Sequence, residues 1–235
     1  MKVTSLSVFF PAYNEEKNIG QTLEQANEVL KGLNLKNYEI IVIDDGSKDK
    51  TGEIVKKLQK NNRYIRLITH NPNKGYGEAL KSGFYNSKYD WITFTDADGQ
   101  FDFSEINKFI EKEEETNADL VIGFYLDRKV SISTKITSKV WELVIFMLFG
   151  LKVKDIDCGF KLISKRVIEK MSKLRSQRGA FISSELLIKA KKARFKIVEV
   201  GVHHYPRAAG KGTGRSVKVI VKSFINLFEL WWQMK

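Results

Sequence analysis

Two apolar runs, each ending in acidic residues, constrain this chain more than any other feature. Ile40-Ile41-Val42-Ile43 leads into Asp44-Asp45-Gly46-Ser47, and Trp91-Ile92-Thr93-Phe94-Thr95 leads into Asp96-Ala97-Asp98-Gly99-Gln100. Short runs rich in β-branched and aromatic residues, closed by Asp-Gly, read as buried parallel strands ending at a loop. In open α/β sheets, ligands bind just beyond the carboxyl ends of such strands. Asp96 and Asp98, two residues apart at that edge, form a hard-oxygen pair suited to Mg²⁺ or Mn²⁺ shared with a substrate phosphate. Gln100 stands two residues further on as a neutral oxygen donor. An isolated Asp-x-Asp is usually a plain turn, and the second cluster on another strand end is what points to a site. Asp44 and Asp45 suit hydrogen bonds from a base or from ribose hydroxyls. Their competing role is turn and capping work, with Ser47 and Asp49 holding the next helix.

The rest of the front half alternates. Strands are expected at 6–12, 38–43, 64–69, 91–95 and 119–123, and helices at 16–31, 52–60, 77–86 and 103–116, with Asn14, Glu15 and Glu16 as cap-like residues. That alternation predicts an α/β fold with a mostly parallel, doubly wound sheet and helices on both faces. After residue 124 the pattern loosens. A basic stretch at 127–139 precedes an apolar segment at 140–151 and a mixed one at 155–163. A helix at 180–193, a strand at 195–202 and a loop at 203–216 come next. The last segment, 217–232, carries a polar stripe at Lys218, Lys222, Asn226, Glu229 and Gln233, as an amphipathic helix would. No repeat, linker or low-complexity tract divides the chain, so residues 1–235 read as one domain.

Charge separates the halves. Residues 1–123 hold 16 Lys+Arg against 20 Asp+Glu, whereas 124–235 hold 24 against 8, so the back half is strongly basic. Such asymmetry suggests an anionic partner (nucleic acid, a membrane surface or a phosphorylated substrate), with a Lys-rich solvated surface as the competing reading. A lone cysteine, Cys158, excludes an internal disulfide and fits a reducing compartment. No signal-peptide apolar region follows Met1-Lys2, which suggests a cytosolic N-terminus. The longest apolar run, 143–151, is too short to span a bilayer, which takes about 20 residues.

Asn73-Lys74-Gly75-Tyr76-Gly77, at an expected helix start, is placed to meet a phosphate or sugar nucleotide through backbone N–H groups, with Lys74 adding charge. His70, His203 and His204 lack metal-ligand spacing with a cysteine and read as structural, and no Ser/His/Asp arrangement suggests a hydrolase.

Taken in order, Pro11-Ala12-Tyr13-Asn14-Glu15-Glu16, Asp44-Asp45-Gly46-Ser47-Lys48-Asp49-Lys50-Thr51, Asn73-x-Gly75-x-Gly77 and Asp96-Ala97-Asp98-Gly99-Gln100 resemble family-2 inverting glycosyltransferases of GT-A fold. More narrowly they are similar to dolichyl-phosphate mannose synthases and bacterial polyprenyl-phosphate glycosyltransferases. Asp157-Cys158-Gly159-Phe160-Lys161-Leu162 resembles that subgroup's Gly-Phe-Arg-Leu segment, and Tyr205-Pro206-Arg207-x-x-Gly210 its Arg-x-x-Gly element. The resemblance implies that Pro11, Tyr13, Glu15 and Asp45 line a nucleotide pocket with Asp44 adjacent. It implies that Asp96, Asp98 and Gln100 hold a Mg²⁺ or Mn²⁺ ion and the diphosphate, and that Arg207 faces phosphate. Lys161 stands where the subgroup has arginine, a point charge in place of a bidentate grip. Either Lys211 or Arg215 matches a further basic position.

The implied reaction transfers one hexose from a donor of GDP-mannose or UDP-glucose type to polyprenyl phosphate, with residues 1–123 serving the nucleotide sugar and 124–235 the acceptor. A phosphate monoester has its second pKa near 6 and arrives ionised, so it needs guiding cations rather than a general base. Arg128, Lys129, Lys135 and Lys139 are candidates for that guidance. Two apolar stretches, 140–151 flanked by lysines and 217–232 ending in Trp231-Trp232, suit peripheral contact with the cytoplasmic face of a membrane, and core packing is the competing use for each. A glycan or protein hydroxyl acceptor would require a base, for which Glu185 is the candidate. A sugar-nucleotide regulator without turnover is the next alternative. A nucleic-acid binder would leave both acidic clusters idle, and no nucleic-acid motif is present.

Overall fold

In a computed structural model, the structure describes residues 2–127, 132–176, 179, 181–207 and 217–234. Arg128, Lys129, Lys211 and Arg215, the loop expected beyond 207, and the side chains of Lys135 and Lys218 lie outside the described residues.

Seven strands form one sheet. They are β1 (Ser5–Ala12), β2 (Asn37–Asp44), β3 (Ile65–Thr69), β4 (Trp91–Phe94), β5 (Leu120–Tyr125), β6 (Lys161–Ser164) and β7 (Ile197–Val202), in the order β3-β2-β1-β4-β6-β5-β7. Every pairing is parallel except those of β6, which runs antiparallel to both β4 and β5. The helices are α1 (Ile19–Gly32), α2 (Thr51–Asn61), α3 (Tyr76–Asn86), α4 (Ile106–Thr116), α5 (Ile132–Phe149), α6 (Lys165–Lys170), α7 (Phe181–Lys192) and α8 (Val217–Met234), with a 3-10 turn at Phe103–Glu105 ahead of α4.

Alternate residues of the central strands enter two different cores. Phe9, Ile41, Ile43 and Phe94 join one cluster with α3 and α7, while Val8, Phe10, Ile40 and Val42 join another with α1 and α4. Both faces are therefore covered, which explains runs that read as continuously apolar rather than alternating. Each fully buried large side chain contributes roughly 1.5–3 kcal/mol relative to exposure. The tightest approach among the glycines is on α3: a Cβ on Gly83 would sit 2.3 Å from the Phe9 ring.

Most expected elements are present with shifted ends. Helix α1 starts at Ile19 rather than 16, because residues 14–16 are used differently: Asn14 adopts φ 56° and knits into the loop after β2. The basic stretch 127–139 is largely the first half of α5. The mixed segment 155–163 resolves into a buried loop and β6, followed by α6, which was not anticipated.

Candidate active site

The strand order reverses between β1 and β4, and the loops that leave their carboxyl ends flank the resulting crevice. Three sequence motifs meet there. The loops after β1 and β2 are laced together: the Asn14 amide donates to Ser47 Oγ (2.9 Å), the Lys48 amide to Asn14 Oδ1 (2.8 Å), the Glu15 amide to Thr51 Oγ1 (2.8 Å) and the Glu16 amide to Asp49 Oδ2 (3.0 Å). Pro11 is buried at the end of β1, and Tyr13 stands exposed at the mouth.

Asp45 anchors the next loop. Its Oδ1 lies 2.7 Å from His70 Nδ1 and accepts the Lys74 amide (2.9 Å), and its Oδ2 accepts Asn73 Nδ2 (2.8 Å) and the Gly75 amide (2.8 Å). A carboxylate offers about four lone-pair sites. With these four contacts Asp45 shapes loop 70–75. His70 is structural as expected, bridging Asp45 to Ser82 Oγ at 2.9 Å. Asp44 accepts the Ser47 amide (2.9 Å), the turn role weighed for it, and the Lys74 side chain is exposed.

Asp96 and Asp98 follow β4. Asp96 Oδ1 accepts the Tyr76 hydroxyl at 3.0 Å, while its Oδ2 faces Gly159, where a Cβ would stand at 3.0 Å. Burial, reinforced by the charge of Asp98, pushes the Asp96 carboxyl up to about 7, and burial next to Asp96 pushes the Tyr76 hydroxyl well up. Asp98 Oδ1 caps the Gln100 amide (3.1 Å), and Oδ2 accepts Arg207 Nη2 (2.9 Å). Arg207 Nη1 reaches Glu15 Oε1 at 3.0 Å, and Glu15 Oε2 accepts Asn18 Nδ2 at 2.7 Å. Burial raises the Glu15 carboxyl despite both partners.

Two residues expected to meet ligands also hold loops. The Gln100 side chain donates Nε2 to the Tyr205 carbonyl at 2.9 Å, clipping the β7 exit. Lys161 is fully buried on β6, its Nζ donating to the carbonyls of Cys158 and Ile156, and burial pushes its ammonium below the usual lysine range. It braces the loop beneath Asp96 instead of gripping a phosphate. Sequence reading missed Tyr76 and Gly159 as neighbours of Asp96; Tyr76 stood inside a quoted motif, but only its hydrogen bond to Asp96 reveals the role.

Among the described residues no group of three or more His, Cys, Asp or Glu side chains closes around a metal. The donor set fits an open site: two carboxylates with negative charge in excess and space kept by Gly159. Mg²⁺ and Mn²⁺ bind in this way, through one or two carboxylates with substrate phosphates and water completing the shell.

The hydroxyl-acceptor reading loses its base. Glu185 accepts from Lys189 Nζ (2.6 Å), the Arg175 amide (2.8 Å) and the Ser176 amide (2.8 Å). Although burial opposes it, this bonding holds the Glu185 carboxyl below the usual glutamate range. Lys139, a candidate acceptor contact, pairs with Glu142 at 2.7 Å on the exposed side of α5.

Helices α5 and α8 pack through the rings of Trp141 and Phe224, whose centroids lie 5.0 Å apart at right angles. Outward, α5 exposes Ile136, Val140, Leu143 and Met147, and α8 exposes Ile225, Phe228 and Trp232, at helical spacing on each. The two terminal tryptophans divide: Trp232 is 74% exposed, while Trp231 lines a cleft with Leu148, Phe149 and Ile188. Among the described residues no helix is long and apolar enough to cross a membrane.

Comparison with known proteins fits this geometry. The chain is 31% identical over 218 residues to a dolichyl-phosphate beta-glucosyltransferase of Dictyostelium discoideum, covering 84% of this chain and 65% of that protein. It is 30% identical to an undecaprenyl-phosphate 4-deoxy-4-formamido-L-arabinose transferase of Photorhabdus laumondii, covering 93% and 66%. The chain thus spans about two thirds of the length of these relatives, whereas it covers 97% of an uncharacterized protein of Methanocaldococcus jannaschii at 28% identity. Glucosyl-3-phosphoglycerate synthase from Mycobacterium tuberculosis, solved with Mn²⁺, UDP and phosphoglyceric acid, superposes over 97% of this chain and 78% of its own with a TM-score of 0.71 at 18% identity, a likeness of GT-A fold. Residues 7–172 match the description "Glycosyl transferase family 2", and this chain belongs to that family.

Proposed function

We propose that the chain is an inverting glycosyltransferase that moves one hexose from a nucleoside-diphosphate sugar to a polyprenyl phosphate. The observation that carries this reading is the meeting of Glu15, Asp96, Asp98 and Arg207 at the carboxyl ends of β1 and β4. Support for the acceptor comes from relatives whose names specify dolichyl or undecaprenyl phosphate.

The laced loops after β1 and β2 hold the nucleotide, with Tyr13 at the mouth for the base and Pro11 forming the floor. Asp96 and Asp98 would hold a divalent ion, which when bound would neutralise charge on the departing diphosphate. Tyr76 fixes the orientation of Asp96, and Gly159 leaves the second oxygen accessible. The acceptor phosphate is already ionised at neutral pH, so its oxygen attacks the anomeric carbon from the face opposite the leaving group without a base. Arg207 draws that phosphate in and holds it.

A lipid acceptor requires access to a bilayer. The apolar stripes of α5 and α8 supply a peripheral contact, set in the headgroup region at a cytoplasmic membrane face. The test is incubation with Mn²⁺ or Mg²⁺, farnesyl or undecaprenyl phosphate and radiolabelled GDP- and UDP-hexoses. Label extracted into the organic phase with one donor is expected. Metal-dependent nucleotide release with aqueous label only would overturn the acceptor assignment.

A further inference from the structure

Arg207 is held by two carboxylates of the crevice, Glu15 and Asp98. Its guanidinium spans the crevice mouth, one nitrogen on Glu15 Oε1 at 3.0 Å and another on Asp98 Oδ2 at 2.9 Å. Both carboxylates are more than nine-tenths buried, while Arg207 keeps 23% of its side chain exposed. Charge-assisted pairs to two desolvated carboxylates are strong, because each partner would otherwise be left as an unpaired buried charge.

The segment carrying Arg207 is strapped down. The Tyr205 amide donates to the Gln100 carbonyl (2.8 Å) and Gln100 Nε2 returns a bond to the Tyr205 carbonyl (2.9 Å). Behind it, the His203 amide donates to Glu105 Oε2 (2.9 Å) and the His203 ring meets Glu105 Oε1 at 2.8 Å. The guanidinium is thus delivered to a fixed place between the loops after β1 and β4. Asp98 Oδ2 cannot serve a guanidinium at 2.9 Å and a divalent ion in the same direction.

We propose that Arg207 is a cation stand-in: it closes the crevice over Glu15 and Asp98 and is exchanged for the metal that Asp98 takes up. This rests on the reading of Asp96 and Asp98 as the cation pair. Exchange gives Arg207 its second position, free to meet a phosphate, and makes its charge available only after Asp98 is occupied. Arg207 acts here as a positioning residue.

The test uses Mn²⁺ alone, with free Mn²⁺ followed by electron paramagnetic resonance, on the wild-type chain and on Arg207→Lys. Lysine keeps the charge but cannot span both carboxylates, so a simple field effect leaves affinity unchanged. Exchange predicts Mn²⁺ binding at least fivefold tighter in Arg207→Lys, with an unchanged circular dichroism spectrum. Asp98→Asn is expected to abolish that gain. Equal affinity in wild type and Arg207→Lys would overturn the exchange while leaving the metal site standing. Failure of Mn²⁺ to bind either protein, with or without UDP or GDP, would overturn both.

Discussion

The hydroxyl of Tyr76 donates to Asp96 Oδ1 at 3.0 Å, tying the first residue of α3 to the carboxylate after β4. Tyr76 therefore reports on the charge of Asp96. In the metal-free protein the Asp96 carboxyl lies at about 7, above its unfolded value of about 3.9. Between those values the folded chain binds the additional proton, so stability falls as pH rises from about 4 through 7 and levels off above. Thermal midpoints of metal-free wild type should decline over that window relative to Asp96→Asn. Mn²⁺ at pH 8 should restore the difference, and parallel profiles for the two proteins would count against the assignment.

Asp98→Asn should lower kcat by about 10²–10³-fold, the scale seen when a charge-stabilising group is removed from an active site. The fold should survive, because the change also relieves repulsion with Asp96. Steady-state kinetics with a matched melting curve decides; turnover near wild type would remove the metal assignment.

Glu185→Gln separates the two acceptor readings. A phosphate acceptor predicts that turnover per folded molecule is unchanged, whereas a hydroxyl acceptor that used this carboxylate as base would lose it. Stability should drop by about 3 kcal/mol at neutral pH, since Lys189 would be left as an unpaired buried charge. The folded pKa of Glu185 is depressed, so that contribution is present above its unfolded pKa and disappears as pH falls through the folded value. Denaturant melts of both proteins at pH 7 and pH 3.5 measure it.

Charging the outer stripe should weaken membrane contact without touching chemistry. Met147→Glu and Phe228→Glu alter exposed residues on α5 and α8. Each should reduce co-sedimentation with anionic vesicles about tenfold or more, the equivalent of one large apolar side chain. Activity on a short, soluble farnesyl phosphate should be retained. Undiminished sedimentation of both variants would direct attention to another surface.

The front half of the fold was legible because its strands are buried on both faces and end in Asp-Gly, leaving apolar runs with clear stops. What could not be read was how motifs share work. Asn14, Glu15 and Glu16 look like a helix cap in the sequence, yet their amides are claimed by Ser47, Thr51 and Asp49 from another loop. Asp45 and Gln100 sit in motifs that point to ligands, but long-range partners (Asn73 and Gly75 for one, Tyr205 for the other) decide where their polar atoms go. Lys161 reads as a point charge for phosphate, yet it is a buried residue of β6 whose Nζ is taken by the carbonyls of Cys158 and Ile156. Strand β6 was hidden for a simpler reason: Lys161-Leu162-Ile163-Ser164 is too short to show a period of its own.

The insertion of β6 between β4 and β5 bears on how the chain can be divided. The acidic front and basic back look separable by charge, yet four residues from the back half supply the hydrogen bonds that join two strands of the front half. A fragment ending at residue 123 would leave β4 and β5 as bare edges facing one another across a gap one strand wide. Unpaired edges of that kind recruit other chains. The acidic front half is therefore not a portable module: expressed by itself it should aggregate, and adding back residues 124–235 in trans should rescue it by strand insertion.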